Sequence, residues 1–462
     1  MISLDGKQYK KFIASKTKEI LPSGFNADVE INPILFDFQR DIVKWALRMG
    51  RAAIWADCGL GKSFIQLEIA KHIHEHTKDN ILILAPLAVT NQTKREGLKI
   101  GVEVNVCRNQ KDVKKGINIT NYEMLDKFNP SEYVAIILDE SSLLKSFTGQ
   151  TRTKIINMFA ETPYKYACTA TPAPNDFMEL GNHAEFIGAM TRVEMLSMFF
   201  VHDGGDTAKW RLKGHAESDY WKWLCSWAVM LEKPSDINYE DNGFILPEIK
   251  YHEHIITTKK KFDGELYARE AQTLNEQQKA RRETIQDRVL HTAAMINNSN
   301  DIWIVWCNLN DESEALSKAI HDSVEVRGAH SLEYKEKAMI DFTDGKIKCL
   351  ISKPSICGHG MNWQHCSNMA FVGLSHSYEQ YYQAIRRCWR FGQENEVNIH
   401  IITADIEGSV LHNIKRKEVY AEKMKKNMVV HMQKLNEKNI RNIEKRTSHY
   451  KPRLNMEIPA WI

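Results

Sequence analysis

The chain has 462 residues, which at about 150 residues per domain is enough for two or three domains with large cores. Its charged fraction of 26% and hydrophobic fraction of 43% are ordinary for a globular protein, and a formal net charge of +3 does not indicate binding to nucleic acid through overall charge. No apolar run approaches the length of a membrane-spanning helix, and the first residues lack the pattern of a signal peptide. A cytoplasmic protein is therefore expected.

The cysteines and histidines do not form a recognisable metal site. The nine cysteines are scattered without a C-x-x-C pair, and most lie in apolar runs, which is typical of reduced core residues. His72, His74 and His76 lie close together, but no cysteine or acidic ligand set accompanies them. A solvated helix end explains them better than a bound metal.

A glycine-rich loop between a predicted strand and a predicted helix is the most informative stretch of the chain. Residues 52–56 form a short apolar run that is typical of a buried strand. After the loop, Ile65, Ile69 and Ile73 recur at four-residue spacing, which indicates an amphipathic helix. The loop itself, residues 57–63, reads Asp-Cys-Gly-Leu-Gly-Lys-Ser and predicts a phosphate-binding loop (the P-loop).

Several residues of the P-loop have a defined part in binding a nucleotide. Backbone N–H groups around Gly59 and Gly61, together with the helix N-terminus, would face the phosphates. Lys62 would reach the β and γ oxygens, and the hydroxyl of Ser63 would ligate Mg²⁺. Ala56 stands where the motif has its first glycine, which is tolerable if the φ angle of Ala56 is negative.

Short apolar runs alternate with helical or loop segments in both halves of the chain. In the first half these runs lie at residues 81–85, 102–107, 117–120, 134–138 and 166–169. In the second half they lie at residues 302–307, 324–326, 348–352, 369–373 and 397–402. Such alternation predicts an α/β protein with a parallel sheet flanked by helices in each lobe. The sequence assigns the two lobes to residues 1–190 and 246–410.

Two further segments do not follow this alternation. Residues 191–245 are rich in tryptophan and are interpreted as a helical insertion whose aromatic residues are typical of a core. Residues 411–462 form a basic helical tail, which is consistent with a solvated helix face or with contacts to the phosphates of a nucleic acid. A further alternative is that apolar residues of the tail pack against the second lobe. These residues are Val419, Tyr420, Met424 and Met428.

The apolar run at residues 134–138 ends in two carboxylates, Asp139 and Glu140. Two acids at the end of a buried strand are costly unless a cation or water chemistry uses them. In a P-loop ATPase the first acid holds Mg²⁺ and the second orients and deprotonates the attacking water. The next predicted strand leads into a turn with Thr169 and Thr171, whose hydroxyls can bond these carboxylates, although the turn can also be an ordinary polar one.

A glutamine and two arginines of the second lobe are the remaining candidates for catalysis. Arg387 and Arg390 are three residues apart and share a face if their segment is helical, and Gln383 precedes them. Guanidinium groups stabilise the charge of a γ-phosphate in its transition state. A solvated or salt-bridged helix face is the alternative, and the P-loop and the Asp-Glu pair argue against it.

In this order, these segments resemble the motifs of superfamily-two helicases, most closely the Swi/Snf-type DNA translocases in a compact form similar to phage-encoded helicases. The matching segments are residues 38–39, 57–66, 85–87, 120–123, 139–142, 169–175, 358–362 and 383–393. The resemblance implies two RecA-like lobes, with ATP in the cleft between them and nucleic acid across both. It also implies that Gln39 reads the adenine and that Gly360 belongs to the nucleotide site.

The sequence departs from the family pattern at two places. Ser141 and Ser142 replace the usual residues after the Asp-Glu pair, and Ala170 replaces a glycine. The family uses both positions to couple ATP hydrolysis to the binding of nucleic acid. The resemblance therefore supports ATP hydrolysis more strongly than its coupling to nucleic acid.

The expected function is an ATP- and Mg²⁺-dependent motor that moves on DNA, with duplex favoured over single strands or RNA. In this interpretation Gln383, Arg387 and Arg390 close onto the γ-phosphate from the second lobe. The alternatives are a strand-separating DNA or RNA helicase and a nucleic-acid-binding module with a weak ATPase. A small-molecule kinase of the P-loop class is disfavoured because it needs no second lobe with paired arginines.

Overall fold

Two parallel β-sheets, one in each half of the chain, organise the structure. The computed structural model describes residues 22–26, 30–145, 149–173, 176–203, 206–257, 274–358, 361–407 and 409–440. The predicted α/β architecture with two lobes is confirmed.

The helices and strands up to residue 190 are α1 (Asp37–Met49), β1 (Arg51–Ala56), α2 (Lys62–Thr77), β2 (Asn80–Ala85), α3 (Thr90–Lys99), β3 (Val104–Val106), β4 (Ile117–Asn121), β5 (Tyr133–Asp139), α4 (Gln150–Met158), β6 (Tyr164–Cys168) and α5 (Leu180–Ile187). The segment that follows contains α6 (Arg192–Phe199), β7 (Phe200–Asp203), β8 (Asp206–Leu212), α7 (Glu217–Cys225) and β9 (Ala228–Leu231).

The elements of the second lobe are β10 (Ile249–Ile256), α8 (Leu274–Glu283), α9 (Ile285–Asn297), β11 (Trp303–Cys307), α10 (Asn310–Ala319), β12 (Ser323–Val326), α11 (Leu332–Thr343), β13 (Cys349–Ser352), α12 (Pro354–Cys357), β14 (Asn368–Val372), α13 (Tyr378–Ile385) and β15 (Val397–Ala404). The long helix α14 (Ser409–Ile440) follows.

The sheet of the first lobe has seven parallel strands in the order β3-β4-β2-β5-β6-β1-β9. Successive residues of β1, Ile54 and Trp55, enter separate cores on the two faces of this sheet, because side chains alternate along a strand. Helices cover both faces, so the inner strands are buried along nearly their whole length. Strands β5, β6 and β1 are neighbours, and they bring the P-loop, the Asp139-Glu140 pair and Thr169 to one edge of the sheet.

The sheet of the second lobe has six parallel strands in the order β10-β15-β14-β11-β13-β12. The apolar runs predicted as strands in this lobe correspond to β11 through β15. The edge strand β10 is an element that the sequence did not predict. Its residues alternate between half-buried and exposed, so it lacks the continuous apolar run of an inner strand.

The segment at residues 191–245 differs from the predicted helical insertion. It contains the helices α6 and α7, but it also contains the antiparallel pair β7 and β8, which forms a small sheet of its own. Strand β9 pairs in parallel with β1 and therefore belongs to the sheet of the first lobe. Strand β9 has only four residues, which is too short for a period in hydrophobicity to be recognised. The sequence alone therefore does not distinguish β9 from the neighbouring helix.

Helix α14 connects the two lobes. Near its start, Val410 and Ile414 are buried in a core of the second lobe. Further along, Met424, Met428 and Met432 are buried in a core of the first lobe, beside α7 and β9. The alternative in which the tail methionines pack against the second lobe is therefore wrong.

The two other residues of that apolar set, Val419 and Tyr420, are exposed. They lie on the solvent side of α14 and pack in neither of these cores. In the described part of the chain, no helix is long and apolar enough to cross a membrane.

Candidate nucleotide site

The P-loop has the predicted position between a buried strand and a helix. Strand β1 ends at Ala56, and α2 begins at Lys62, after Gly61 in the left-handed conformation. The φ angles of Gly59 and Gly61 are +93° and +75°, whereas Ala56 is absent from the described residues with positive φ. An alanine is tolerated at position 56 because that position is the extended end of a strand.

Both glycines of the loop also allow another group to approach closely. A Cβ atom at Gly59 would lie 2.8 Å from the backbone nitrogen of Phe391 in the second lobe. A Cβ atom at Gly61 would lie 2.3 Å from Nε2 of Gln39. Any larger residue at either position would displace the second lobe or the glutamine that is expected to read the adenine.

Lys62 and Gln39 are held by backbone groups around the loop. The ammonium of Lys62 donates to the carbonyls of Ala56 and Asp57 at 2.8 and 3.3 Å. The amide of Gln39 accepts from the backbone N–H of Phe36 at 3.0 Å and donates to the carbonyl of Leu60 at 2.9 Å. Gln39 thus connects the start of α1 to the P-loop.

Asp139 and Glu140 lie at the end of β5, as predicted. Oδ1 of Asp139 accepts a hydrogen bond from Nε2 of Gln66 in α2 at 2.8 Å. Glu140 has a φ angle of +52°, and its Oε2 accepts from the hydroxyl of Thr169 at 3.3 Å. The left-handed backbone turns the two neighbouring carboxylates toward different partners, so they can perform different tasks.

The electrostatics of this pair favour a cation. Burial, and then the neighbouring carboxylate of Glu140, raise the pKa of Asp139 to about 6. A divalent cation would relieve both causes, because it replaces lost solvation and offsets the like charge. Magnesium in proteins binds one or two carboxylates together with phosphate oxygens and water.

The residues present therefore fit a Mg²⁺ ion that arrives with a nucleotide. Asp139 and Ser63 offer carboxylate and hydroxyl oxygens near the P-loop. Among the described residues, no group of three His, Cys, Asp or Glu side chains could hold a metal ion by itself. The nucleotide would have to complete the coordination.

The serines after the Asp-Glu pair connect β5 to helix α5. The ring of His183 donates from Nε2 to the carbonyl of Ser141 at 3.0 Å. Burial lowers the pKa of His183 to about 4, so the ring is neutral at pH 7. Ser141 and Ser142 are themselves buried.

Gln383, Arg387 and Arg390 form one hydrogen-bonded group at the end of α13. Nη2 and Nε of Arg387 donate to Oε1 and to the carbonyl of Gln383 at 2.8 and 2.9 Å. Arg390 donates to the carbonyl of Met361 at 3.2 Å, and burial together with Arg387 lowers the pKa of Arg390 to about 10. Sγ of Cys58 in the P-loop lies 3.9 Å from Oε1 of Gln383, so this group faces the loop.

Other contacts also join the lobes around the cleft. Nδ2 of Asn362 donates to Oε1 of Glu96 in α3 at 2.9 Å. Lys145 forms an ion pair with Glu379 of α13. Gly360, which the sequence assigned to the nucleotide site, lies outside the described residues.

Sequence reasoning missed a cluster around Asp57. The hydroxyl of Tyr382 and the ammonium of Lys425 both donate to the carboxylate of Asp57, at 2.6 and 2.8 Å. Arg386 donates to the carbonyl of Cys58 and lies 3.3 Å from Asp57. The only sign of this cluster in the sequence is a second arginine, Arg386, directly before Arg387. Arg387 is predicted for the site because it is three residues from Arg390, whereas Arg386 is not.

Two protein families match the two lobes. Residues 33–174 match the family described as the type III restriction enzyme, res subunit. Residues 283–392 match the family described as the helicase conserved C-terminal domain. The first match includes the P-loop and the Asp-Glu pair, and the second includes the arginines at the end of α13.

One relative and one solved structure are also similar to the chain. Putative protein p41 of Acyrthosiphon pisum secondary endosymbiont phage 1 is 26% identical over 432 residues, which cover 79% of this chain and 92% of that protein. The structure described as the Sulfolobus solfataricus SWI2/SNF2 ATPase core in complex with dsDNA is 14% identical, with a TM-score of 0.41. That alignment covers 92% of this chain and 99% of the other.

Proposed function

Because the chain belongs to the superfamily-two helicases and ATPases, we propose that it couples ATP hydrolysis to movement along DNA, with duplex DNA as the favoured track. The observation that carries this proposal is the contact of both lobes with one P-loop. Phe391 approaches Gly59 so closely that a Cβ atom there would lie 2.8 Å from the Phe391 nitrogen. A nucleotide bound at such a site changes the fit between the lobes, and lobe motion is a means of moving along a polymer.

The residues of the first lobe bind the nucleotide and activate water. In this proposal Lys62 leaves its two backbone carbonyls for the β and γ oxygens of ATP, and Gln39 contacts the adenine. Glu140 orients a water molecule and accepts its proton. Asp139 and Ser63 would hold Mg²⁺, which when bound neutralises phosphate charge.

The residues of the second lobe stabilise the charge that develops on the γ-phosphate. Arg387 and Arg390 now donate to Gln383 and to the carbonyl of Met361. In the proposed closed state these guanidinium groups donate to phosphate oxygens instead, as arginine fingers do. Gln383 keeps Arg387 oriented toward the P-loop until then.

The preference for duplex DNA is supported by the form of two motifs. The Gly59-Leu60-Gly61 sequence of the P-loop and the Phe391-Gly392 sequence after the arginines resemble Swi/Snf-type translocases more than RNA helicases. Proteins that move along DNA without reading its sequence contact phosphates through lysine and arginine. The basic residues after position 411 are candidates for such contacts.

A strand-separating helicase is the second candidate, and one specific observation favours it. Strands β7 and β8 form an antiparallel hairpin that belongs to neither large sheet. The described side chains on it include the exposed Val201 and Arg211, and the rings of His202 and Trp210 lie 3.7 Å apart. Trp210 is half-buried against a core of the first lobe, whereas His202 is exposed, and an exposed aromatic ring can stack against an unpaired base.

The test is a measurement of ATPase rate on duplex DNA, single-stranded DNA and RNA of equal length. We expect duplex DNA of any sequence to stimulate the rate most. Strand displacement from a partial duplex, measured in the same buffer, separates the two candidates. Stimulation by RNA alone, or efficient displacement of a strand, would contradict the duplex translocase.

The proposal also places the protein in a reducing cytoplasm. All nine cysteines are free and buried. Free buried thiols are typical of proteins from reducing compartments, where disulfides are rare.

A further inference from the structure

The side chain of Asp57 at the start of the P-loop is held by groups from two distant parts of the chain. Asp57 is 7% exposed. Its Oδ1 accepts from the hydroxyl of Tyr382 in α13 at 2.6 Å and from the backbone N–H of Cys58 at 2.7 Å. Its Oδ2 accepts from the ammonium of Lys425 in α14 at 2.8 Å, and Arg386 lies 3.3 Å away.

The charges in this cluster stabilise one another. Burial raises the pKa of Asp57, but Arg386 and Lys425 outweigh burial and hold that pKa well below its usual range. The ammonium of Lys425 has a second acidic partner, Glu232, at 3.2 Å. The carboxylate is therefore charged at neutral pH, and removal of one cation leaves a buried charge with fewer partners.

The cluster connects the P-loop to the tail and to both lobes. Lys425 follows Met424 and precedes Met428, which are both buried in the core of the first lobe. The same helix starts in the core of the second lobe through Val410 and Ile414. Helix α14 thus fixes the position of Lys425 at the cleft.

The backbone of Asp57 determines the shape of the loop. Its carbonyl accepts from the N–H of Leu60 and from the ammonium of Lys62, both at 3.3 Å. Its carboxylate binds the N–H of Cys58. Rotation of Asp57 would therefore move the first turn of the P-loop together with the lysine that contacts phosphate.

We propose that Lys425 and Tyr382 are positioning residues of the nucleotide site, which hold the P-loop in its phosphate-binding shape through Asp57. Neither residue contacts the nucleotide. Helix α14 is then part of the ATP site, although it is the last described element of the chain. The inference rests on one part of the proposed function, namely that the P-loop binds ATP.

The main experiment measures ADP affinity by calorimetry for the full chain without DNA. Lys425→Met keeps the length of the side chain but removes its charge, and we expect ADP to bind at least about tenfold more weakly. Lys222→Met is the matched control, because Lys222 is an exposed lysine on helix α7, which packs against α14. This control should bind ADP like the wild type, and Lys425→Arg should recover most of the affinity.

A second variant keeps the inference testable if Lys425→Met does not fold. Tyr382→Phe removes a single hydroxyl that donates to Asp57, and we expect ADP affinity to fall about threefold. Unchanged or tighter ADP binding in a folded Lys425→Met or Tyr382→Phe protein would overturn the inference. A lower melting temperature with unchanged affinity would mean that the cluster only holds α14 in place.

These outcomes are distinct from failure of the proposed function. If the wild type binds ADP but DNA does not stimulate its ATPase, the proposed function fails. The role of Lys425 is still decided in that case, because it depends only on the ADP affinities of the wild type and the variants. A wild type that bound no nucleotide would overturn both.

Discussion

Two neighbouring carboxylates, Asp139 and Glu140, meet different surroundings at the end of β5. Asp139 accepts from Gln66, and burial with the neighbouring charge raises its pKa to about 6. Glu140 is turned by its positive φ angle toward Thr169. The surroundings of Asp139 therefore suit a residue that binds a cation, and those of Glu140 suit a base that accepts a proton from water.

Glu140→Gln should abolish ATP turnover while leaving nucleotide binding intact. The substitution keeps the shape of the side chain but removes the proton acceptor, and we expect the turnover rate to fall on the order of a thousandfold. Single-turnover hydrolysis and ADP affinity are the two measurements. Lys62→Ala is the comparison, because it should weaken nucleotide binding as well. Wild-type turnover in purified Glu140→Gln protein would refute the assignment of the base.

His183 should make the protein less stable as the pH falls. Its pKa is lowered by burial from 6.5 to about 4, so between these values the unfolded chain binds a proton that the folded protein does not. The free energy of unfolding should therefore decrease from pH 6.5 to pH 4, by at most about 3 kcal/mol from this residue.

Urea unfolding monitored by tryptophan fluorescence at several pH values tests this effect. His183→Gln can still donate to the carbonyl of Ser141 but cannot titrate. Its free energy of unfolding should vary less with pH than that of the wild type. Some dependence should persist, because burial and neighbouring histidines also lower the pKa of His400 to about 4. Equal pH dependence in both proteins would rule out a buried neutral His183.

At the scale of elements, the sequence predicted best the strands that are buried on both faces. Strands such as β1 and β5 are continuous apolar runs, because helices cover both sides of the sheet. Edge strands carry a weaker signal. Strand β10 alternates in burial, and β9 is as short as a single helical turn, so their pairing depends on the neighbouring strand rather than on their own residues.

The nucleotide site could be predicted only where its residues follow one another along the chain. The P-loop lysine, the Asp-Glu pair and Arg387 each lie within a recognisable local pattern. Tyr382 and Lys425 lie 325 and 368 residues from Asp57 in the sequence, and no local pattern connects them. Tertiary folding alone brings these groups together.

The three arginines that follow α13, Arg386, Arg387 and Arg390, should differ in their effects. Arg387→Ala and Arg390→Ala should each reduce the ATPase rate, by about 10³ to 10⁵ if they act as arginine fingers. Arg386→Ala removes a cation beside the buried Asp57, so it should also lower the melting temperature. ATPase assays and thermal unfolding of the three variants test this difference. Normal hydrolysis by both Arg387→Ala and Arg390→Ala would mean that the site does not include the second lobe.

At the scale of the whole molecule, helix α14 determines how the two lobes are joined. The sequence showed that this segment is helical and has an apolar stripe. It did not show which lobe buries the stripe, because any complementary apolar surface satisfies the same spacing. The structure places Met424, Met428 and Met432 in the first lobe, where they cover α7 and β9.

Two truncations should separate the contribution of helix α14 from that of the residues that follow it. Deletion of residues 411–462 uncovers buried methionines, each worth about 1.5–3 kcal/mol, so the melting temperature should fall. Deletion of residues 441–462 keeps α14 and removes basic residues such as Lys445, Arg446 and Lys451, so the buried methionines stay covered and the melting temperature should fall less than after the longer deletion. If these residues contact DNA, the slope of log affinity against log salt should decrease by about one for each lost phosphate contact. An unchanged slope after the shorter deletion would exclude residues 441–462 from DNA binding. The track would then have to be bound by the two lobes or by basic residues of α14, such as Lys415, Arg416 and Lys417.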